Sequence, residues 1–306
     1  MISPEIRQQA LLMHRIGIPG IEIIKRLGIG VDSVYEAKNN FTRLVILADL
    51  HSGHRAGLTP PEWQWSIDNN YQKKFAVQQK ESWDWYNWII DLLQPIDRLV
   101  VNGDAIEGKG PKSGGTELVR AARDEQVEMA YDCISICHAP KIILTRGTPY
   151  HTGINEDWEN CLKKELEKNA LVEISDHAWP MINGIQFSIK HKGTSSTVPH
   201  GGMTPLEKNK LWNQVWSDER GKQPKADIII RSHTHRFGFC GREYLAISTP
   251  ALQGWGSKFG QRQCEGTVHY GLIWMDIPKY AGSLNDVKWE CVMPDLPSQK
   301  VEPKAW

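Results

Sequence analysis

The sequence lacks an uninterrupted apolar run of the roughly 18 to 20 residues that a membrane-spanning helix needs. Its first 30 residues also lack the apolar core of a signal peptide. Neither sign of charge prevails, because 36 Lys and Arg residues balance 36 Asp and Glu residues. We therefore expect a cytoplasmic protein with no membrane partner, in which any contact with nucleic acid comes from a local patch.

Cysteine is sparse, with six residues and no C-x-x-C pair. This excludes a dense disulfide scaffold and the usual paired-cysteine zinc motifs. Cys133 and Cys137 lie four apart in a predicted helix, a spacing that could hold a metal but that we interpret as core packing. We expect the cysteines to be reduced and buried.

With 306 residues, the chain is long enough for one large domain and a small appendage. Residues 1–40 predict a separate helical unit, with glycines dividing three short helices at about 4–16, 20–27 and 32–37. Residues 20–35 resemble the helix-turn-helix of site-specific resolvases, which implies DNA as a candidate partner. Asp32 and Glu36 favour an interaction or packing role instead, because base reading relies mainly on Arg, Lys, Asn and Gln.

From residue 42 onward, short β-branched runs alternate with amphipathic helical stretches, which predicts an α/β domain with a central sheet. The predicted helices lie at about 67–93, 117–137 and 158–167. The predicted strands lie at about 43–48, 99–101, 142–145, 171–174, 185–190, 228–230, 244–247, 268–274 and 289–293. Residues 294–306 are polar and rich in proline, which predicts an extended tail.

Acidic residues and histidines recur where the predicted strands end. Ligands of open α/β sheets bind beyond the carboxyl ends of the strands, so we expect these side chains to converge. Carboxylate oxygen and imidazole nitrogen together suit Mn, Fe or Zn. Two such ions bridged by one carboxylate can polarise a phosphoryl oxygen and activate water. The residues are Asp49, His51, Asp104, His191, His233 and His235.

These positions resemble the pattern of the calcineurin-like metallophosphoesterases, which is D-x-H, G-D, G-N-H-D/E, a lone histidine and G-H-x-H. The resemblance runs in the family's order from about residue 42 to 275. It implies a four-layer α/β/β/α sandwich over residues 41–293. The matching blocks are Asp49-Leu50-His51, Gly103-Asp104, residues 147–151, His191 and Ser232-His233-Thr234-His235.

The resemblance also implies two divalent metal ions. Asp104 would bridge them, and His151 would stabilise or protonate the leaving oxygen. The family's asparagine ligand is missing from residues 147–151, where Thr148 or water would replace it. Ser232 stands where the family has glycine. One metal would be held by Asp49, His51 and His235, and the other by His191 and His233.

Loops near these blocks supply candidate substrate-binding residues. The glycine- and lysine-rich stretch after Asp104 could cradle a phosphate. Trp255 and Lys258 combine a stacking surface with a cation, as a nucleobase and its phosphate require. The full set of candidates is His54, Arg55, Lys109, Lys112, His200, Trp255 and Lys258.

The sequence therefore predicts a dinuclear metal-dependent phosphoester hydrolase. A phosphodiesterase or nuclease acting on nucleic acid or nucleotides is the first expectation, because residues 20–35 and Trp255 both point toward nucleic acid. One alternative is a phosphomonoesterase acting on small molecules or proteins. Another is a non-catalytic metal-containing binding module, which the missing asparagine favours.

Deleting residues 1–40 tests the DNA-targeting hypothesis. If this segment delivers the enzyme to DNA, the truncated protein should bind duplex DNA more weakly and with a flatter salt dependence. The physical reason is that the basic residues of the segment no longer displace counterions. Hydrolysis of a small phosphodiester should barely change, since every predicted ligand follows residue 42. Unchanged DNA affinity contradicts the hypothesis, and loss of small-diester hydrolysis assigns the segment to packing. The basic residues are Arg7, Arg15, Lys25 and Arg26.

Overall fold

A computed structural model of the protein describes residues 41–299, except 71, 154–156, 194–195, 197 and 258–267. The helical unit predicted for residues 1–40 lies outside this range, as do residues 300–306. Within the range, none of the helices has the length and apolar character that crossing a membrane requires.

The described part of the chain contains eleven strands and five α-helices. In chain order the strands are β1 (Phe41–Leu47), β2 (Arg98–Asn102), β3 (Lys141–Thr145), β4 (Leu171–Ser175), β5 (Met181–Ile182), β6 (Ile185–Lys192), β7 (Ile228–Ser232), β8 (Gly238–Cys240), β9 (Leu245–Ser248), β10 (Leu272–Pro278) and β11 (Lys288–Val292). The helices are α1 (Lys73–Leu93), α2 (Arg123–Ser135), α3 (Pro149–Thr152), α4 (Trp158–Leu166) and α5 (Thr204–Asp218).

The strands form two sheets. The first has the order β11-β10-β1-β2-β3-β4, and the second has the order β5-β6-β7-β9-β8. Strands β1 to β4 run parallel, as do β6, β7 and β9. The other strands pair antiparallel at the edges. Because parallel strands end at the same edge of a sheet, the segments after β1 and β2 leave the first sheet side by side.

Alternate side chains of the two central strands β1 and β7 pack into different apolar layers. In β1, Val45 packs with the helices of the first sheet, and Ile46 packs between the sheets. In β7, Ile230 packs between the sheets, and Ile229 packs on the side of α5 with Leu206. Successive side chains of a strand point to opposite faces, so each sheet packs against apolar side chains on both of its faces. The result is the α/β/β/α sandwich that the sequence predicts.

The cysteines only partly match expectation. The five that the structure describes are free thiols, and Cys133 and Cys137 are buried in the helix-side core as predicted. Cys161 is exposed, and Cys240 and Cys291 are partly exposed. The prediction of burial is therefore wrong for these three.

Several element boundaries also differ from the prediction. Helix α2 begins at Arg123 rather than near 117, because the preceding residues form a loop that pairs with residues 53–55. The N–H of Arg55 donates to the carbonyl of Glu117 at 2.8 Å. Helix α5 is absent from the sequence prediction altogether, although Pro205 in its first turn is a recognised start signal.

The beginning of the predicted tail is packed against the domain. Residues Pro297–Gln299 form a 3-10 turn. Leu296 packs against the helix-side core, and the N–H of Ser298 donates to the carboxylate of Glu81 in α1 at 3.1 Å. Contacts between side chains thus hold residues that a sequence pattern alone describes as extended.

Candidate metal centre

The predicted ligands stand on strained backbone at the strand ends. Five of the six have a positive φ, which non-glycine residues rarely adopt and which costs on the order of 1 to 3 kcal/mol each. Two hydrogen bonds hold the first two loops together: Asp49 N–H donates to Gly103 O at 3.1 Å, and His51 N–H donates to Asp104 O at 2.9 Å. The five angles are Asp49 53°, His51 47°, Asp104 49°, His233 76° and His235 53°.

Asp49, His51 and His235 form one group whose ligand atoms lie within 4.8 Å of one another. The Oδ1 atom of Asp49 is 3.2 Å from His235 Nε2 and 3.9 Å from His51 Nε2. The two Nε2 atoms are themselves 3.3 Å apart. Three donor atoms therefore face one small volume.

Asp104, His191 and His233 form a second such group. The Oδ2 atom of Asp104 lies 2.9 Å from His191 Nε2 and 3.9 Å from His233 Nδ1. Asp49 Oδ1 is 4.0 Å from His191 Nε2, so the two groups adjoin. The structure thus brings together all six residues that the sequence predicts as ligands.

Hydrogen bonds outside the cluster orient two of the imidazole rings. His191 Nδ1 lies 2.7 Å from the carbonyl of Asn102, which can only accept, so this nitrogen carries the proton. His51 Nδ1 lies 2.8 Å from Glu107 Oε2. Both contacts leave Nε2 directed into the cluster, as in proteins where an outer hydrogen bond fixes a metal-binding histidine.

Two buried polar atoms test whether the residues fit a cation. Asp49 Oδ1 and His191 Nε2 are buried and lie close to other predicted ligands, but neither makes a hydrogen bond of suitable geometry with the described residues. Buried polar atoms are normally satisfied, so these two indicate a missing partner. The cluster offers carboxylate oxygen and imidazole nitrogen, which suit Mn, Fe or Zn. The residues therefore fit divalent metal ions.

The electrostatics of the cluster point the same way. Burial lowers the pKa of His191, but the charges of Asp104 and Asp49 outweigh it and raise that pKa to about 10. Burial raises the pKa of Asp104, but His191, His233 and His151 hold it well below its usual range. A proton on His191 is therefore favoured by the two carboxylates, and a cation bound at Nε2 would take its place.

His151 lies at the open side of the cluster. Its Nε2 is 3.8 Å from Asp104 Oδ2, and its Nδ1 contacts the carbonyl of Glu107 at 2.8 Å. Burial lowers its pKa, but the hydrogen bond to Glu107 and the charge of Asp104 raise it overall, to about 9. The side chain is 14% exposed. Its role as a proton donor stays a prediction.

Glu107 is a site residue that the sequence analysis missed. It is buried, and its Oε2 lies 2.8 Å from His51 Nδ1 and 3.4 Å from His151 Nδ1. These three residues also satisfy the distance limit for a metal group. Because both Nδ1 atoms already contact Glu107, we interpret the trio as a hydrogen-bond network. In the sequence, Glu107 could have been noticed as an acidic residue three positions after Asp104.

Thr148 contacts a predicted ligand. Its N–H donates to Asp104 Oδ1 at 2.7 Å, and its hydroxyl donates to the same atom at 3.0 Å. Gly147 lies against Asp104 as well, since a Cβ there would come within 2.1 Å of Oδ1. The altered 147–151 loop thus holds the carboxylate of Asp104. That Thr148 itself binds metal remains a prediction.

Ser232, which replaces the family's glycine, takes part in a buried network between the sheets. Its hydroxyl accepts hydrogen bonds from Asn102 Nδ2 at 2.6 Å and from Thr249 Oγ1 at 2.8 Å. Thr145 in turn donates to Asn102 Oδ1 at 2.6 Å. The network joins the ends of β2, β3 and β7, which precede Asp104, Thr148 and His233 in the chain.

Two substrate-binding candidates, His54 and Arg55, are engaged in structural contacts. His54 is only 2% exposed, and its Nδ1 accepts a hydrogen bond from Ala56 N–H at 3.0 Å. Arg55 pairs with Glu117 at 2.7 Å and stacks on Phe75, with its guanidinium carbon 4.2 Å from the ring centroid. Burial withdraws His54 from an incoming phosphate, whereas Arg55 is 16% exposed and its substrate role stays a prediction.

The remaining candidates are less constrained. Lys109 and His200 are exposed, and Trp255 is partly buried. Among the described residues, these three show no contact with the six predicted metal ligands. Their substrate roles therefore remain predictions. Lys258 and the side chain of Lys112 lie outside the described residues.

The sequence matches no protein-family model and no curated protein. Distant similarity exists among solved structures. An archaeal phosphodiesterase shares 13% identity over 83% of this chain and 100% of that chain, with a TM-score of 0.42. A predicted phosphoesterase from Streptococcus pneumoniae shares 9% identity over 82% and 98%, with a TM-score of 0.34. A dimetal phosphatase from Danio rerio shares 10% identity over 78% and 93%, with a TM-score of 0.35. Structural similarity at these TM-scores does not indicate a function.

Replacing Gly147 with alanine tests the contact between this loop and Asp104. The added Cβ should displace the carboxylate, weaken Mn²⁺ binding and lower the free energy of unfolding by about 1 to 3 kcal/mol. Calorimetric Mn²⁺ titration and urea denaturation measure the two effects. Gly282→Ala is the matched control, because its Cβ would meet no atom closer than 3.6 Å. Equal behaviour of the two variants contradicts the prediction.

Proposed function

We propose that this chain is a phosphoester hydrolase that uses two divalent metal ions. The observation that carries the proposal is the pair of adjoining buried groups, each with one carboxylate and two imidazoles. Burying this many ionisable groups is costly unless a counter-charge binds them, so a merely structural cluster is an unfavourable explanation. The unsatisfied Asp49 Oδ1 and His191 Nε2 support the same conclusion.

The two groups divide the cations between them. Asp49, His51 and His235 would hold one ion, and the group around Asp104 and His191 would hold the other. When bound, divalent ions at such sites neutralise phosphoryl charge and lower the pKa of water into the neutral range. Mn, Fe and Zn are the candidates, because the donors are a mixture of oxygen and nitrogen.

The protein's own contribution to bond cleavage comes from His151. The carbonyl of Glu107 holds the Nδ1 proton, so a second proton at Nε2 makes the ring cationic. Burial opposes this protonated form, but the hydrogen bond to Glu107 and the charge of Asp104 both favour it and raise the pKa of His151. From the open side of the cluster, Nε2–H can then donate to the oxygen of the departing alcohol. The Glu107 carboxylate keeps the ring oriented throughout.

We propose a phosphodiester of nucleic acid or a nucleotide as the substrate class. Support comes from the helix-turn-helix-like pattern of residues 20–35 and from Trp255, whose indole could stack on a base. A monoester substrate is the competing outcome, because a fold and a metal site do not fix the substrate. Rates on bis-p-nitrophenyl phosphate and on p-nitrophenyl phosphate separate the two.

Asp104→Asn tests the hydrolase assignment. The purified protein should bind Mn²⁺ and hydrolyse bis-p-nitrophenyl phosphate, and the variant should lose turnover and retain less metal. The cause is the loss of one negative charge between two cations. Elemental analysis and the rate of nitrophenolate release are the measurements. Wild-type protein without tightly bound metal or turnover of either nitrophenyl ester would instead support a binding module.

His151→Ala separates the proton donor from the metal ligands. Turnover should fall by roughly 10² to 10⁴, as expected for loss of a general acid. Metal content should stay at the wild-type level, because His151 contacts the cluster through Glu107 and Asp104 rather than as one of the six ligands. Loss of metal from the variant would reassign His151 as a ligand, and undiminished turnover would remove its catalytic role.

A further inference from the structure

The first turn of α4 holds the loop that contacts Asp104. Glu159 Oε2 accepts a hydrogen bond from the N–H of Gly147 at 2.8 Å. The neighbouring Arg146 donates to Asp157 Oδ2 at 2.7 Å, and Asp157 also caps the helix by accepting from Asn160 N–H at 3.0 Å. Two consecutive loop residues are therefore fastened to the same helical turn.

Glu159 is an unusual residue for this position. It is only 2% exposed, and its second oxygen, Oε1, makes no hydrogen bond of suitable geometry with the described residues, although the backbone of Ala105 is also nearby. Glutamate is almost never fully buried unless it is paired, because its carboxylate must be dehydrated. An aliphatic residue would fill the same space without that cost. The N–H of Gly147 is the group that this buried carboxylate serves.

The loop at Gly147 and Thr148 links Glu159 to Asp104 through direct contacts. A Cβ on Gly147 would lie 2.1 Å from Asp104 Oδ1 and 2.3 Å from Asp104 N, so the two backbones are in direct contact. The next residue, Thr148, donates both its N–H and its hydroxyl to the Asp104 carboxylate. Moving the Gly147–Thr148 peptide therefore moves both donors.

We propose that Glu159 is a positioning residue for Asp104 and acts through the Gly147–Thr148 peptide. It supports a loop that lacks the expected asparagine, and so maintains the carboxylate of the group formed by Asp104, His191 and His233. For catalysis this inference rests on the proposed hydrolase function. For metal affinity it rests on the contacts alone.

The test compares Glu159→Ala, Glu159→Gln and Glu165→Ala. Alanine removes the acceptor, and Mn²⁺ affinity should fall by roughly 10- to 100-fold, as for loss of other residues that support metal ligands. Turnover of bis-p-nitrophenyl phosphate should fall, with little change in KM. Glutamine keeps an oxygen for Gly147 N–H, and its Mn²⁺ affinity should stay within about threefold of wild type. Glu165, a partly exposed acid of the same helix, provides the control and should change nothing.

A double-mutant cycle with Thr148→Ala tests the route. If both residues act on Asp104 through one peptide, their losses in Mn²⁺ affinity should be less than additive. Glu159→Asp keeps the carboxyl group but withdraws the acceptor, and it replaces the alanine variant if thermal denaturation shows that the latter is unfolded. It should also weaken Mn²⁺ binding.

Three outcomes overturn the proposal: wild-type affinity in both the alanine and aspartate variants, a glutamine variant as impaired as alanine, or additive losses in the cycle. Absence of hydrolysis by wild-type protein that binds Mn²⁺ would contradict the hydrolase function instead. The Mn²⁺ affinities would still decide the role of Glu159.

Discussion

The carboxylate of Asp104 imposes the constraint on which the site depends. It is almost completely buried, and a buried charge is tolerated only when nearby groups compensate it. His191 faces one oxygen, and Thr148 donates twice to the other. Its neighbours must also leave room, which explains glycine at position 147. The surrounding loops are therefore shaped by the need to compensate one negative charge.

The packed sheets are rigid, and they support the strained loops that carry the predicted ligands. Two sheets and their covering helices provide three apolar layers, with Ile46 and Ile230 in the central one. The network of Asn102, Thr145 and Ser232 then ties the strand ends across both sheets. Left-handed backbone at the ligand positions is unfavourable locally, but the packed strands on either side leave the loops no relaxed alternative.

Two buried glutamates near the site show how the surroundings decide the state of identical side chains. Burial raises the pKa of Glu107, but His54, His151 and His51 outweigh it and hold that pKa well below its usual range. Burial raises the pKa of Glu159 to about 8, and the charge of Asp104 adds to the shift. Glu107 is thus a charged partner for two imidazoles, whereas Glu159 sits where a neutral acid is favoured and serves a backbone N–H.

The α/β class, most strand positions and the six residues that cluster at the strand ends could be predicted from the sequence, because strand periodicity and strand-end placement are local patterns. Only the tertiary structure revealed Glu107 and Glu159, since their roles depend on contacts between segments far apart in the chain. It also showed that His54 is buried and that Arg55 pairs with Glu117, because both features arise only when two loops meet. Residue type and spacing indicate which groups can bind a metal, but which side chains orient those groups is decided by packing.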